Sequence, residues 1–346
     1  MIEFIFTIDY EIYGNGEGSL RELVFEPTNR LVSVFKEYNA TFVVFAEALE
    51  FRKIEEYRAD DAVGSVRTQL CQLLEEGFEI GLHLHPWWSN ARHVNGRWCL
   101  DYRERNLCGF SAQRVEEVVG SAVDYLREAM EAPAYAPVSF RAGLWLMQPT
   151  KVMGSVLSRH GVQVDSSVFK GGRIRDVGVD YRPALRNGYY WHFTDDVNVP
   201  DPSGHLLELP IHTEMVAFWK MLTHKRLGLQ RKVPSRGNGG PLPGRWSDFA
   251  RVRYPRKLDF CRMGFDELRS VMEGVLREDK KNPHVYKPVV AIGHTKDLVD
   301  FDTVRRFLSY LARKGIAVSN FKQVLQKLQR EHTEAQSRQT TAGRQL

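Results

Sequence analysis

Short apolar runs rich in β-branched and aromatic residues recur along this chain. Most of them are separated by stretches whose apolar positions repeat every three or four residues. The runs fall at residues 2–8 (IEFIFTI without its leading Met), 40–45, 78–82, 138–140, 162–164, 206–211, 289–293 and 316–318. Their length and composition are those of buried strands. A helix opens at Pro27 and puts Leu31, Val34, Phe35 and Tyr38 on one face; a second carries Val66, Leu70, Leu73 and Leu74 and ends near Gly77. Further helical patterns cover 111–130, 149–159, 265–276, 303–313 and 321–329. About eight strands alternating with helices predict an α/β fold, a distorted (β/α)7–8 barrel of TIM-like type, with residues 1–330 as a single domain. No internal repeat is visible.

Four stretches interrupt the alternation. Residues 86–110 form a long loop with Trp87, Trp88, Trp98, Tyr102 and Phe110, and loops of that length are usually functional. Residues 170–205 read as an irregular insertion. Residues 213–258 form a second, basic insertion, whose Pro234, Gly237, Gly239, Gly240, Pro241, Pro243 and Gly244 forbid regular structure there. Its first part, MVAFWKMLTHKRLG, is expected as an amphipathic helix. The last stretch, 331–346, holds almost nothing to bury and reads as a disordered tail.

Charge sharpens this picture more than composition does. With 43% apolar and 26% charged residues, the 346-residue chain is ordinary globular material. Its net charge is +5, but segment 220–257 alone contains eleven Lys or Arg and one acid, Asp248, which leaves the remainder acidic. Such local concentration fits an anionic partner or a membrane surface at one place and argues against general nucleic-acid binding. The four cysteines have no CxxC spacing and are expected as reduced thiols. No window approaches the roughly 18 apolar residues of a membrane span, and no leader pattern precedes the first strand. The expected location is cytoplasmic, possibly peripheral at the inner face of the membrane.

Polar residues gather where these strands end: Asp9, Glu11, His83, His85, Arg141, Asp165, His212 and His294. In barrels that rim is where chemistry happens. His83 and His85 lie two apart at a strand end, so both imidazoles share one face, and two such ligands with a carboxylate make an open zinc-type site. Asp9 and Glu11 are spaced in the same way. One of them can bind metal while the other stays free as a base, held ionised by Arg141. His294 arrives from the far side of the ring, where a proton donor for the leaving group belongs.

In order along the chain, TIDYE, EIGLHLHP, FRAGLW, DSSVF and GHTK resemble the motifs of the polysaccharide deacetylases, the NodB-homology group of carbohydrate esterase family four. The resemblance runs from about residue 2 to about residue 325. It implies metal-dependent removal of an N-acyl group from an amino sugar, by water activated at a divalent metal. Zinc is expected; manganese, cobalt, nickel or iron would suit the same donors. By the resemblance, Asp9 is the base, Arg141 holds it, His294 is the acid and Asp165 orients that histidine. Glu11, His83 and His85 are the implied metal ligands. The metal-binding aspartate usual after the base is Tyr10 here, and the usual second histidine is Trp87. Tyr10, Trp88 and Trp145 are expected to line the sugar groove, and His212 ranks second to His294 as the acid.

The expected function is hydrolysis of an N-acetyl group on an amino-sugar or glycan intermediate, possibly lipid- or phosphate-linked, in cell-surface polysaccharide or lipopolysaccharide assembly. The alternatives are a deformylase or another hydrolase of linear or cyclic non-peptide amides on the same fold, and a catalytically inactive glycan-binding barrel.

Overall fold

Seven parallel strands form the frame: β1 (Ile2–Tyr10), β2 (Val43–Glu47), β3 (Glu79–Leu84), β4 (Ser139–Ala142), β5 (Val164–Asp165), β6 (Leu206–Glu208) and β7 (Lys287–His294). The computed structural model describes residues 1–223, 225–226, 228–229 and 253–330. The sheet runs β6-β5-β4-β3-β2-β1-β7. It closes where Ile211, just beyond β6, bridges Val290 of β7 and His212 N donates to Val290 O at 2.9 Å. The result is a distorted (β/α) barrel, as the alternation of runs predicted. The eighth expected strand shrinks to Ala317–Val318, which pairs with Glu3 and Phe4 at the lower end of β1 and stays outside the ring. One antiparallel strand, Trp191–Phe193, lies on the free side of β6.

Strand periodicity decides everything that follows. On β1, Phe4 and Phe6 face outward and meet Phe35 and Phe307 edge to face at 5.0–6.1 Å, so each apolar ring packs against the helical layer. That layer includes α1 (Glu26–Lys36), α2 (Ala48–Tyr57), α3 (Val63–Glu75), α4 (Ala112–Ala129), α5 (Lys151–Arg159), α6 (Phe265–Lys281) and α7 (Phe301–Arg313). Ile5 points the other way, into a cluster with Val43, Phe45, Val164, Leu207 and Val290 inside the ring. Phe321 and Val324 of the helix at 321–330 belong to this cluster, so that helix plugs the lower mouth. Both faces of each strand are therefore buried, as parallel strands require; the polar groups of the lower ends, Glu3, Glu79 and Lys287, are tied up in local bonds, and those of the candidate site stand at the upper ends.

Two local expectations need correction. α2 was not foreseen, although ALEFRKIEEY carries Ala48, Leu49, Phe51 and Ile54 at helical spacing; it buries these residues directly after β2. The start of the basic insertion is not an amphipathic helix. Thr213–Ala217 is a strand paired antiparallel with Arg253–Lys257, Phe218–Met221 makes one short helical turn, and among the described residues beyond it Lys225, Arg226, Gly228 and Leu229 are helical. The ladder takes up the backbone groups a helix would have used, and Trp219 stays 70% exposed. Most of the rest of that insertion lies outside the described residues, as does the expected tail at 331–346. Among the described residues, no helix is long and apolar enough to cross a membrane.

Candidate active site

Asp9 is the last inward-facing residue of β1, and the barrel brings an arginine and a histidine to it. Arg141 Nη1 donates to Asp9 Oδ1 at 2.6 Å, and His294 Nε2 lies 3.3 Å from Asp9 Oδ2. The guanidinium is fixed on every side: Nη2 donates to Thr7 Oγ1 at 2.7 Å, Nε donates to Ser166 O at 3.0 Å, and its plane covers the Phe45 ring at 4.2 Å. Burial penalises charge on Asp9, but Arg141, then His83 and His294, outweigh it, and the carboxyl sits below its ordinary value. An aspartate held ionised next to a histidine can receive one proton and pass it on. Burial lowers the basicity of His294, against the pull of Asp9.

Next to this pair lies a cluster of Glu11, Glu47, His83 and His85, with one donor atom from each within 4.8 Å of the others. His83 Nδ1 bonds to Arg141 O at 2.8 Å, which leaves Nε2 turned inward with no partner. Glu11 Oε2 and Glu47 Oε1 are likewise buried without a hydrogen bond. Glu11 Oε2 lies 3.0 Å from His85 Nε2 and 3.7 Å from His83 Nε2. Its other oxygen accepts from Lys296 Nζ at 2.7 Å, so Glu11 stays ionised: burial opposes the charge, but Lys296 and His85 bring its carboxyl well below the ordinary value. Glu47 has no such cation; burial, then Glu50 and Glu11, push it well up. Unpartnered imidazole and carboxylate atoms converging on one point fit a divalent metal of the zinc type. The glycine of FRAGLW makes room for this cluster, because a Cβ on Gly143 would come within 2.5 Å of His85 Nδ1. Trp87, standing where a histidine was expected, packs on the His85 ring at 4.3 Å between centroids and holds it in place.

The remaining expected site residues lie elsewhere. Tyr10 follows Asp9 and therefore faces outward; fully buried, its hydroxyl donates to Gln69 Oε1 at 2.5 Å, and it cannot reach a sugar. Trp88 is also fully buried, 4.9 Å from Trp98, so its expected stacking role gives way to packing under the loop. Asp165 does not orient His294. Because Val164 turns into the ring, Asp165 turns out, where it accepts from Ser167 Oγ at 2.6 Å beside its register partner Glu208. His212 stacks on Tyr189 among Glu214, Lys170 and Glu278, and burial depresses it to about 4. It does not belong to the group around Asp9. Trp145 is the one expected aromatic left at the rim, only partly buried.

Glu47, Lys296, Asp297, Asp259 and Lys257 were missed. Asp297 Oδ2 lies 3.9 Å from His294 Nδ1, at ion-pair distance without a hydrogen bond, and is itself paired with Arg262. Glu47 had a readable signal: it is the acid that ends β2, in FAE. Asp259 and Lys257 had none, because they follow the insertion and reach the rim only through the bridge from Asp259 to Ile292.

This barrel fold is that of the polysaccharide deacetylases. A protein assigned to that class from Mycobacterium smegmatis aligns over 97% of this chain and 91% of its own, at a TM-score of 0.53 and 14% identity. A second from Pseudomonas aeruginosa PAO1 covers 96% and 92% at 0.49 and 15%. A branching enzyme from Thermococcus kodakaraensis, solved with glucose, covers 94% and 70% at 0.54 and 12%. No protein-family profile and no curated protein sequence matches the chain. One frame thus carries different chemistries among its neighbours, and the site must choose between them.

Proposed function

We propose that this chain is a metal-dependent hydrolase that removes an N-acyl group, acetyl in the first instance, from an amino sugar or glycan. The observation that carries the reading is the contact of Asp9 with both Arg141 and His294, directly beside the cluster of Glu11, His83, His85 and Glu47. Those four residues would hold a divalent ion, zinc by donor type, which when bound supplies Lewis-acid polarisation of the acyl oxygen and a more acidic water. Asp9 is positioned to take the proton of the attacking water. His294, 3.3 Å away, is positioned to hand a proton to the leaving nitrogen. Arg141 keeps Asp9 charged through the cycle, and Lys296 does the same for Glu11. Trp145 at the rim offers one face to a sugar.

None of the four cysteines is paired, which suits a reducing compartment, and we place the reaction on a cytoplasmic intermediate of cell-surface glycan assembly. The exposed Trp219 and the Lys and Arg of 220–257 suit an anionic or membrane-borne partner, though most of that segment lies outside the described residues.

The decisive experiment measures acid release from N-acetyl and N-formyl hexosamines by protein loaded with zinc, cobalt or manganese, beside chelated protein. Metal-dependent acetate release is the expected result. Formate release alone would move the acyl group to formyl. Release that survives chelation, or none with any metal, would sink the reading.

A further inference from the structure

Among the described residues, Lys257 at the upper rim is a cation with no ion-pair partner. Lys257 ends the strand Arg253–Lys257, and the chain then runs beside β7: Leu258 N donates to His212 O at 2.8 Å and Phe260 N to Ile292 O at 3.0 Å. This addition to the ring brings the Lys257 ammonium over the face of Trp145, 3.0 Å from its centroid, and 4.6 Å from that of Phe169. The backbone is bent to make this possible. Leu144 and Trp145 both adopt left-handed conformations, φ 53° and 59°, uncommon for residues with a side chain, and Tyr181 Oη donates to Trp145 O at 2.6 Å to hold the turn.

The charged groups facing Lys257 are Asp259, Arg262, Asp9 and Arg141. Each carboxylate already has its own donors. Asp9 is taken by Arg141 and His294, while Asp259 accepts from the backbone N–H of Cys261 and of Arg262, each at 3.0 Å. Arg262 in turn pairs with Asp297 at 2.6 Å. Among the described residues, no carboxylate comes within ion-pair distance of Lys257 Nζ. A cation partly withdrawn from water against two aromatic faces is costly without a counter-charge. The aromatic faces supply only part of what is missing.

We propose that Lys257 is an anion subsite of the substrate groove, so that the substrate is an amino sugar bearing a phosphate or carboxylate within reach of the acylated nitrogen. The proposal rests on the deacetylase reading for the identity of the sugar, but anion binding itself does not. The shared chemistry is a substrate oxyanion that accepts from Lys257 while the sugar ring lies along Trp145.

The test uses the full chain and four probes: N-acetylglucosamine, its 1-phosphate, its 6-phosphate and its 6-carboxylate analogue, with binding read by calorimetry and acetate release read in parallel. At least one anionic probe should bind wild-type protein tenfold or more tightly than the neutral sugar, and the phosphate and carboxylate arms separate the two sources of charge. Lys257→Met should remove most of that preference, and Lys257→Arg should restore it. An unchanged preference in Lys257→Met would overturn the proposal, as would equal binding of all four probes to wild-type protein, a result independent of how the variant folds. If Lys257 instead donates a proton in the reaction, Lys257→Met will lower kcat equally on neutral and anionic sugars with no change in their relative affinity, which also overturns it. Preference without acetate release would sink the deacetylase reading and leave the subsite standing; acetate release without preference would do the reverse.

Discussion

Arg141 and Asp9 meet at 2.6 Å with side-chain exposures of 0% and 3%, a charge pair closed off from water on every side. Breaking such a pair from one end strands the other charge. Arg141→Leu should therefore cost on the order of 3–5 kcal/mol of stability, read from denaturant melts. Asp9→Asn leaves Arg141 an oxygen to donate to, so it should destabilise less while lowering turnover by roughly 10²–10⁴-fold. Near-normal turnover in Asp9→Asn would remove Asp9 from the role of base.

The metal cluster makes a separate prediction about Glu47, a residue the motifs did not mark. If its unpartnered Oε1 belongs to the coordination sphere or directly supports it, Glu47→Gln should weaken metal binding by about 10–100-fold. Metal content after dialysis, measured by elemental analysis, reads this without any substrate. Unchanged metal retention would leave Glu47 a buried acid and nothing more.

Reading order along the chain explains what the sequence disclosed. β1, β3 and β4 present their functional residues by strict alternation, so Asp9 with Glu11, His83 with His85, and Arg141 were legible as inward-facing sets, and the structure does bring them together. The same alternation, had it been applied to Tyr10 and Asp165, would have turned both outward. At these two positions the resemblance and the strand pattern disagree, and the strand pattern decides. Trp88 failed for another reason: a tryptophan in a rim loop can face the groove or roof the helices, and only packing against Trp98 decides. Asp259 and Lys257 could not be read at all, because their place depends on a segment joining the ring far from any periodic run.

Trp88 and Tyr10 offer a direct check on that correction. Trp88→Ala removes a fully buried indole and should cost about 3–5 kcal/mol. Tyr10→Phe removes the bond to Gln69, worth about 1 kcal/mol, and should leave KM for the sugar unchanged. A raised KM in Tyr10→Phe at unaltered stability would return it to the groove.

Two aspartates compete for His294. Asp297, 3.9 Å from its Nδ1, should act as the positioning residue, so Asp297→Asn should lower kcat and shift the pH profile of the acid step. Asp165 faces Glu208 instead and accepts from Ser167 Oγ at 2.6 Å, contacts that lie away from His294 and that an asparagine oxygen can keep. Asp165→Asn should therefore change neither the profile nor the melt appreciably. A shifted profile in Asp165→Asn, with none in Asp297→Asn, would restore the role the motif implied.

Lys257 links the proposed anion subsite to pH. Burial, only partly opposed by Asp259 and Asp9 and reinforced by Arg262 and Arg141, brings its ammonium from an ordinary 10.5 down to about 7. The folded protein thus releases this proton near pH 7, whereas the unfolded chain keeps it until about 10.5. Between those values the unfolded state binds more protons, so this group's contribution makes stability rise with pH there, and the penalty is fully present below about 7. Anion preference should run the opposite way, strong below pH 7 and fading above it as the charge is lost. Lys257→Arg, charged throughout, should keep its preference to pH 9, and titrating the phosphate-sugar affinity of both proteins from pH 6 to 9 compares them directly. Parallel pH profiles for wild type and Lys257→Arg would mean that another group controls the effect.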